Sequence, residues 1–458
     1  MEPTSISPDF LDDLVARTDE AGGGYTPEGQ ALWASPVVVD PEDLARFEGV
    51  DPFSEAYGDL QLELWSRWAG RTYEPTSSEL YPFIFADHLE GRTAFGTNIE
   101  PLTLVHHHLS VARAVSALGL NGGDVLDVGA GWGLQAELLS ELGFEVDVLD
   151  VNPEFVRLIS ERMERRGFGG RRIVGTFDDL PVRAGGYDLA YTYQALHHTP
   201  QPLATIRRFV DPLGTAARRV AFVGEPVLDM WPAWGLRTDA ESLYCIRKFG
   251  WFESGWSADF LLSCIARAGL GVLLLRPITS KRDGVVAGAR VGPLDPLDRT
   301  SWSPFAAGWL PGPEGLTSTG ESALAFSVDD DAGVVVLDVG WHNTHPTTVG
   351  VTLLCGDALE RSTVTLQTGI TENVVDLPPG TGRVVSILIG GETWCPRAAL
   401  GVADQRRISI EIVGVRTERA RRLDPEPPTT VAAAPPPAPA GLLTSIYQRM
   451  RHRLPSSA

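Results

Sequence analysis

Positive charge is scarce in this sequence. Its 59 aspartates and glutamates face 38 lysines and arginines, for a net charge of −21. The chain therefore lacks the basic footprint that gripping nucleic-acid phosphates requires. Cysteine is scarcer still. Cys245, Cys264, Cys355 and Cys395 are the four present, and none stands in CxxC spacing. That gives no zinc signal and fits a reducing compartment. No run of about 18 apolar residues is present to span a bilayer. The acidic opening "MEPTSISPDFLDDLVARTDE" has no apolar core of a secretory signal. These absences predict a soluble, cytoplasmic protein with no nucleic-acid partner.

The 458 residues predict two or three domains. Residues 1–100 read as a helical and loop-rich region. "YGDLQLELWSRWAG" carries apolar residues at helical spacing, as does "IEPLTLVHHHLSVARAVSALG" at the junction with the next domain. From 101 to 292 apolar strand runs alternate with helical stretches, the pattern of a doubly wound, mainly parallel sheet. Residues 226–256 interrupt it as an insert. A Pro-, Gly- and Trp-rich linker is expected over 293–319, and short, closely spaced strands over 320–416 predict an antiparallel β-sandwich. Residues 417–440 read as a Pro/Ala-rich disordered linker, and 441–458 as a basic amphipathic helix.

The strongest chemical signal is "DVLDVGAGWGLQAELL". A strand ends at Asp127, a glycine turn follows and a helix begins. Glycines allow a tight turn and close backbone approach to a ligand. A dinucleotide fingerprint needs glycine at positions one, three and six. Gly129 and Gly131 satisfy the first two, but the sixth position is Leu134 and Gly133 comes one place early. The pattern of Asp127, Gly129, Gly131 and Gly133 instead resembles that of class I S-adenosylmethionine (SAM)-dependent methyltransferases. The next strand ends at Asp150, 23 residues after Asp127. A carboxylate there can accept from both ribose hydroxyls. The resemblance implies a Rossmann-like α/β methyltransferase domain, with SAM as cofactor and S-adenosylhomocysteine (SAH) as product. It also implies that Asp127 faces the cofactor's methionine end and Val151 packs on adenine. After the third strand the family often has an acid following glycine. Here Gly175 is followed by Thr176, so Thr176, Phe177 and a shifted Asp178 are all candidates for the adenine contact.

The fourth strand, "YDLAYTY", leads into "QALHHTP". The resemblance places Tyr193 and Gln194 beside the methionine moiety, with His197 and His198 immediately after. An alcohol is a poor nucleophile until its proton has an acceptor, and histidine suits that task. Adjacent side chains diverge, so one histidine faces the acceptor. His198 is the expected base and His197 the alternative. Glu225, at the end of the fifth strand, could orient the histidine or bind a sugar hydroxyl. His106, His107 and His108 fan around a helix and cannot share a metal, and no metal is expected.

The insert gathers Trp234, Trp251 and other aromatics around Arg237 and Arg247. Aromatic faces stack on sugars, and arginines grip phosphates or carboxylates. The insert could be a substrate lid using these four residues, or the core of a small subdomain. Its tryptophan-rich stretch and "PFSEAYGDLQLELWSRWAGRTYEPTSSEL" resemble methyltransferases of bacterial surface-polysaccharide (O-antigen and capsule) biosynthesis. "GETWCPRAALGVADQRRISIEIVGV" resembles β domains appended to polysaccharide glycosyltransferases. This looser resemblance implies O-methylation of a sugar hydroxyl in a glycan or its lipid- or nucleotide-linked precursor. A small natural product or other non-glycan acceptor, with a structural β-sandwich, is the alternative, and a SAM-binding scaffold without turnover is the third reading. Trp341, His342, Asn343, Trp394 and Arg397 could form a glycan patch or belong to a core. The C-terminal helix could dock on a glycosyltransferase or on the inner face of the membrane, or remain a solvated tail.

Overall fold

The computed structural model describes residues 4–23, 26–32, 37–96, 100–214, 218–227, 233–276, 285–293, 306–311, 316–341, 347–366, 369–378, 383–391 and 411–419. Residues 420–440 of the expected disordered linker and the expected C-terminal helix lie outside the described residues, as do His342, Asn343, Trp394 and Arg397, whereas 417–419 are described and form the end of a strand.

The N-terminal region consists of short helices: α1 (Pro8–Glu20), α2 (Pro27–Leu32), α3 (Pro41–Ala45), α4 (Glu55–Ala69), α5 (Pro75–Ser78) and α6 (Phe85–Leu89). A minimal parallel pair, β1 (Thr4–Ser5) and β2 (Val37–Val38), closes it. Helix α4 starts where the Ser54 hydroxyl accepts from the Tyr57 N–H, and stops at Gly70 in a left-handed conformation. Its Tyr57, Gln61, Leu64, Trp65 and Trp68 are buried, at the spacing of one helical face.

Helix α7 (Pro101–Ala117) leads into a seven-stranded sheet. Five strands are parallel: β3 (Gly123–Val128), β4 (Phe144–Asp150), β5 (Arg172–Val174), β6 (Leu189–Tyr193) and β7 (Arg219–Val223). After the small hairpin β8 (Trp234–Leu236) and β9 (Ser254–Trp256), the strands β10 (Gly271–Arg276) and β11 (Val285–Ala289) extend the sheet antiparallel beyond β7. The order is β10-β11-β7-β6-β3-β4-β5. Connecting helices α8 (Leu134–Glu141), α9 (Pro153–Arg165), α10 (Pro202–Arg208), α11 (Ala240–Lys248) and α12 (Ala258–Arg267) complete the domain. Val125 and Val146 enter one core while Leu126, Val128 and Leu149 enter another. Burial on both faces explains why these strands read as continuous apolar runs. Strand order reverses between β3 and β6, the switch point at which open α/β sheets form a ligand crevice. Strand β11 carries no separate sequence signal, because its "VVAGA" is short and built of small residues.

The C-terminal region is antiparallel throughout. Its strands are β12 (Ala306–Pro311), β13 (Leu316–Ser327), β14 (Ala332–Trp341), β15 (Thr347–Cys355), β16 (Ala358–Leu366), β17 (Gly369–Asp376), β18 (Val384–Gly391) and β19 (Glu411–Arg419). Strand β13 pairs with β18 over Glu321–Ser327 and with β19 over Leu316–Thr317, so the sheet divides there. Two of these strands depart from expectation. Strand β12 lies within the expected linker, as an edge strand that tolerates its terminal Pro311. Strand β17 alternates exposed and half-buried residues, so its polar "GITENVVD" carries little apolar signal. Trp341 is buried in the core of this region rather than offered to a glycan. The C-terminal region is also not detached: Ser386 Oγ accepts from the Val272 N–H at 2.8 Å in a buried contact, and Ala325 shares a core with Leu273.

Candidate functional site

A cavity of about 800 Å³ opens at the carboxyl ends of β3 and β6. One wall is made by local turns. Gly129, Gly131 and Gly133 all have positive φ, at 68°, 53° and 81°. A Cβ on Gly129 would come within 2.6 Å of Ala195, and one on Gly133 within 2.5 Å of Ile159, so both positions are sterically closed to larger residues. Trp132, between the last two glycines, stacks on His88 with ring centroids 4.0 Å apart.

Asp150 is buried at the end of β4. One carboxylate oxygen accepts from the Gly131 N–H at 2.7 Å and the other from the Asn152 N–H at 2.8 Å. Burial raises its pKa to about 6, against the lowering effect of those two N–H groups. Asp127 is only 1% exposed, and burial raises it to about 7, partly offset by the Tyr191 hydroxyl. Its Oδ2 is buried with no hydrogen-bond partner among the described residues. An orphaned acceptor in a cavity wall fits a ligand that brings a donor, as the ammonium of SAM does.

Val151, Tyr193 and Gln194 line the same cavity. Gln194 has φ of 53°, in the left-handed region that a side chain rarely adopts, at the turn leaving β6. The Tyr193 hydroxyl lies 2.6 Å from His107 Nδ1, so the middle histidine of the α7 run also reaches the cavity. Thr176, Phe177 and Asp178 line the adjoining end. The Thr176 hydroxyl donates to Asp179 at 2.9 Å, and Asp178 pairs with Arg208 at 3.0 Å.

The two histidines part company. Both lie in a short 3₁₀ turn, Leu196–His198. His197 is buried, with Nδ1 2.9 Å from Glu225 and Nε2 3.7 Å from Glu253. Glu225 is 1% exposed and accepts from the backbone N–H groups of Ala195, Leu196 and His197 at 3.0–3.1 Å and from the Thr192 hydroxyl at 3.2 Å. Burial alone would raise Glu225, but the His197 ring and those N–H groups hold it below the usual carboxylate range. Its oxygens are engaged and it does not line the cavity, so it holds the turn rather than a sugar hydroxyl. His198 does line the cavity, with Nδ1 3.0 Å from Glu79 Oε2. Burial opposes its charged form, but Glu79, Glu253 and Glu225 outweigh that and raise its pKa to about 9.

Glu79 is the site residue that sequence reading missed. Its other oxygen accepts from the Phe252 N–H at 2.9 Å, and the Tyr73 hydroxyl donates to the His198 carbonyl at 3.1 Å. The segment around α5 thus forms the second wall together with Trp251, whose Nε1 donates to the Leu80 carbonyl at 3.4 Å. Of the four expected substrate residues, Trp251 alone lines the cavity. Trp234 is 1% exposed, stacks near Tyr57 and Phe260, and donates to the Pro52 carbonyl at 2.8 Å. Arg237 binds Asp239 at 2.8 Å and Glu253 at 3.4 Å. Arg247 binds both oxygens of Asp12 at 2.7 and 2.8 Å. Most of the insert is therefore packing against α1 and α4 rather than a lid.

His197, His198 and Glu253 bring ligand-type atoms within 4.8 Å of one another. Arg237 already engages Glu253, and Glu79 engages His198. Among the described residues no helix is long and apolar enough to cross a membrane.

Residues 125–214 match the family model described as a methyltransferase domain. A ubiquinone biosynthesis O-methyltransferase of Xanthomonas campestris is 34% identical over 105 residues, which is 22% of this chain and 44% of that protein. Another, from Xanthomonas axonopodis, is 36% identical over 87 residues, 19% of this chain and 36% of the relative. The chain thus spans less than half the length of these relatives. Among solved structures, magnesium protoporphyrin IX methyltransferase from Synechocystis with bound SAH is 16% identical, with 43% of this chain and 91% of that chain covered, at a TM-score of 0.33. A SAM-dependent methyltransferase from Aquifex aeolicus is 17% identical, covering 42% and 100%, at a TM-score of 0.31. Residues 125–214, which carry the glycine turn at the switch point, are thus similar to a methyltransferase domain.

Proposed function

We propose that this chain O-methylates a sugar hydroxyl in surface-polysaccharide assembly, with His198 as the proton acceptor. The observation that carries the reading is His198 in the cavity wall, 3.0 Å from Glu79, with Tyr73 and Trp251 lining the same cavity. Asp127 and Asp150 would hold the cofactor's ammonium and ribose ends, and Val151 and Phe177 its adenine. When bound, SAM supplies an electrophilic methyl group. The walls position the acceptor hydroxyl, which supplies much of the rate of an in-line displacement. His198 then takes the hydroxyl proton, and Glu79 stabilises the imidazolium that results.

Because His198 is raised to about 9, it carries a proton at neutral pH in the free protein and must release it before acting as a base. A positive charge bound in the cavity favours that release. The curated relatives support a second reading, in which the acceptor is a non-glycan hydroxyl. An array of oligosaccharides and phenols with methyl-labelled SAM separates the two. Labelling of oligosaccharides that is lost in His198→Ala supports the first reading, and labelling of phenols alone removes it.

A further inference from the structure

The sign of charge in the acceptor half of the cavity narrows the acceptor. The cofactor half is defined by Asp127, the glycine turn and Asp150. The acceptor half is walled by α4, the segment around α5, His198, Glu241 and Trp251. Its carboxylates are Glu55, Asp59, Glu79 and Glu241. Glu55 and Asp59 lie one helical turn apart on α4, and neither side chain has a hydrogen-bonding or ionic partner among the described residues. Among the described residues the whole cavity wall contains no lysine and one arginine, Arg208, which is paired with Asp178.

A second observation points the same way. The cations of α4 and the insert have partners outside the cavity. Arg46 and Arg67, which share a surface groove with Asp59, pair with Glu63 and Asp43. Arg237 is tied to Asp239 and Glu253, Arg247 to Asp12, and Lys248 to Asp19. Arg71 donates to the carbonyls of Arg247 and Phe249 at 3.0 and 3.3 Å. The insert that the sequence offers as a phosphate grip presents none of its positive charge to the cavity. A phosphate entering here would meet several carboxylates and, besides Arg208, a His198 imidazolium already paired with Glu79, which disfavours it. An ammonium would meet carboxylates together with the aromatic residues Tyr73, Tyr81 and Trp251, a setting that suits a cation.

We propose that the acceptor is a hydroxylated amine, an amino sugar whose amine is unacylated, and that sugars still carrying a nucleoside diphosphate are rejected. This rests on the reading that the cavity methylates a hydroxyl on a glycan.

The test compares initial rates with methyl-labelled SAM across matched acceptors. These are a glucosamine oligosaccharide, its N-acetylated form, a nucleoside-diphosphate amino sugar, and a catecholamine beside uncharged catechol. The amine oligosaccharide is expected to exceed its N-acetyl form at least tenfold in kcat/KM, with the nucleotide sugar lowest. The double variant Glu55→Gln/Asp59→Asn is expected to bring that preference toward unity, and its affinity for SAH reports that it is folded. Equal rates for amine and N-acetyl forms, preference for the nucleotide sugar, an unchanged preference in the folded double variant, or no turnover of any amine overturns the inference. Catecholamine turned over in preference to catechol, with all sugars inert, upholds the charge selection and removes the glycan reading instead.

Discussion

The two walls of the cavity are built by different means. The cofactor wall comes from short stretches of chain: a strand end, three glycines with positive φ, and the next strand end, with Asp150 bonded to Gly131 only 19 residues away. The acceptor wall is assembled across the sequence. Tyr73 reaches His198 over 125 residues, and Glu79 and Trp251 come from opposite ends of the domain. On the proposed function, local backbone geometry builds the wall that would hold SAM. Side chains from separate elements build the wall that would select the acceptor.

Substitutions can break this comparison. The largest separation is expected from His198→Ala, which should lower kcat by about 10²–10⁴-fold, the range for loss of a general base, while leaving SAH affinity within about twofold. Asp150→Ala should do the reverse. It leaves the Gly131 and Asn152 N–H groups unpaired and weakens SAH binding by roughly 1–3 kcal/mol in calorimetry.

A second pair sharpens the contrast within the insert. Trp234→Ala opens a cavity between α4 and α12 and should cost about 3–5 kcal/mol of stability in denaturant unfolding. Trp251→Ala should act chiefly on KM for the acceptor. Equal stability losses would mean that the insert is one cooperative unit with no separable wall.

The smaller effect concerns the price of a buried acid. Asp127 is raised to about 7, above its unfolded value, so the folded state holds the proton more tightly. Stability of the cofactor-free protein therefore falls as pH rises from the unfolded pKa toward 7 and remains low above it. Asp127→Asn should raise stability at alkaline pH by about 1–3 kcal/mol while weakening SAH binding. Thermal unfolding with and without SAH reads both.

These walls also differ in how far they were legible in sequence. The glycine spacing and Asp150 could be read directly because strand, turn and helix are consecutive and each glycine answers a local steric demand. Glu79 carried no such mark, since nothing near it in sequence signals a partner more than 100 residues away. Trp234, Arg237 and Arg247 were readable as a ligand-binding set because aromatic and arginine side chains serve cores, ion pairs and sugar sites alike. Only the packing against α1 and α4 separates those roles. The paired histidines were legible as a pair but not as a division of labour. Glu225 fixes His197 inside the turn, which leaves His198 to face the cavity.

The most direct test of the account is the pH dependence of kcat/KM for the wild type and Glu79→Gln, using a turned-over acceptor. With His198 as the base, kcat/KM rises with pH to a plateau, with its midpoint at or below about 9 in the wild type and displaced to lower pH when the Glu79 charge is removed. A flat profile, or the same midpoint in both proteins, would contradict the assignment of His198 as the base held by Glu79.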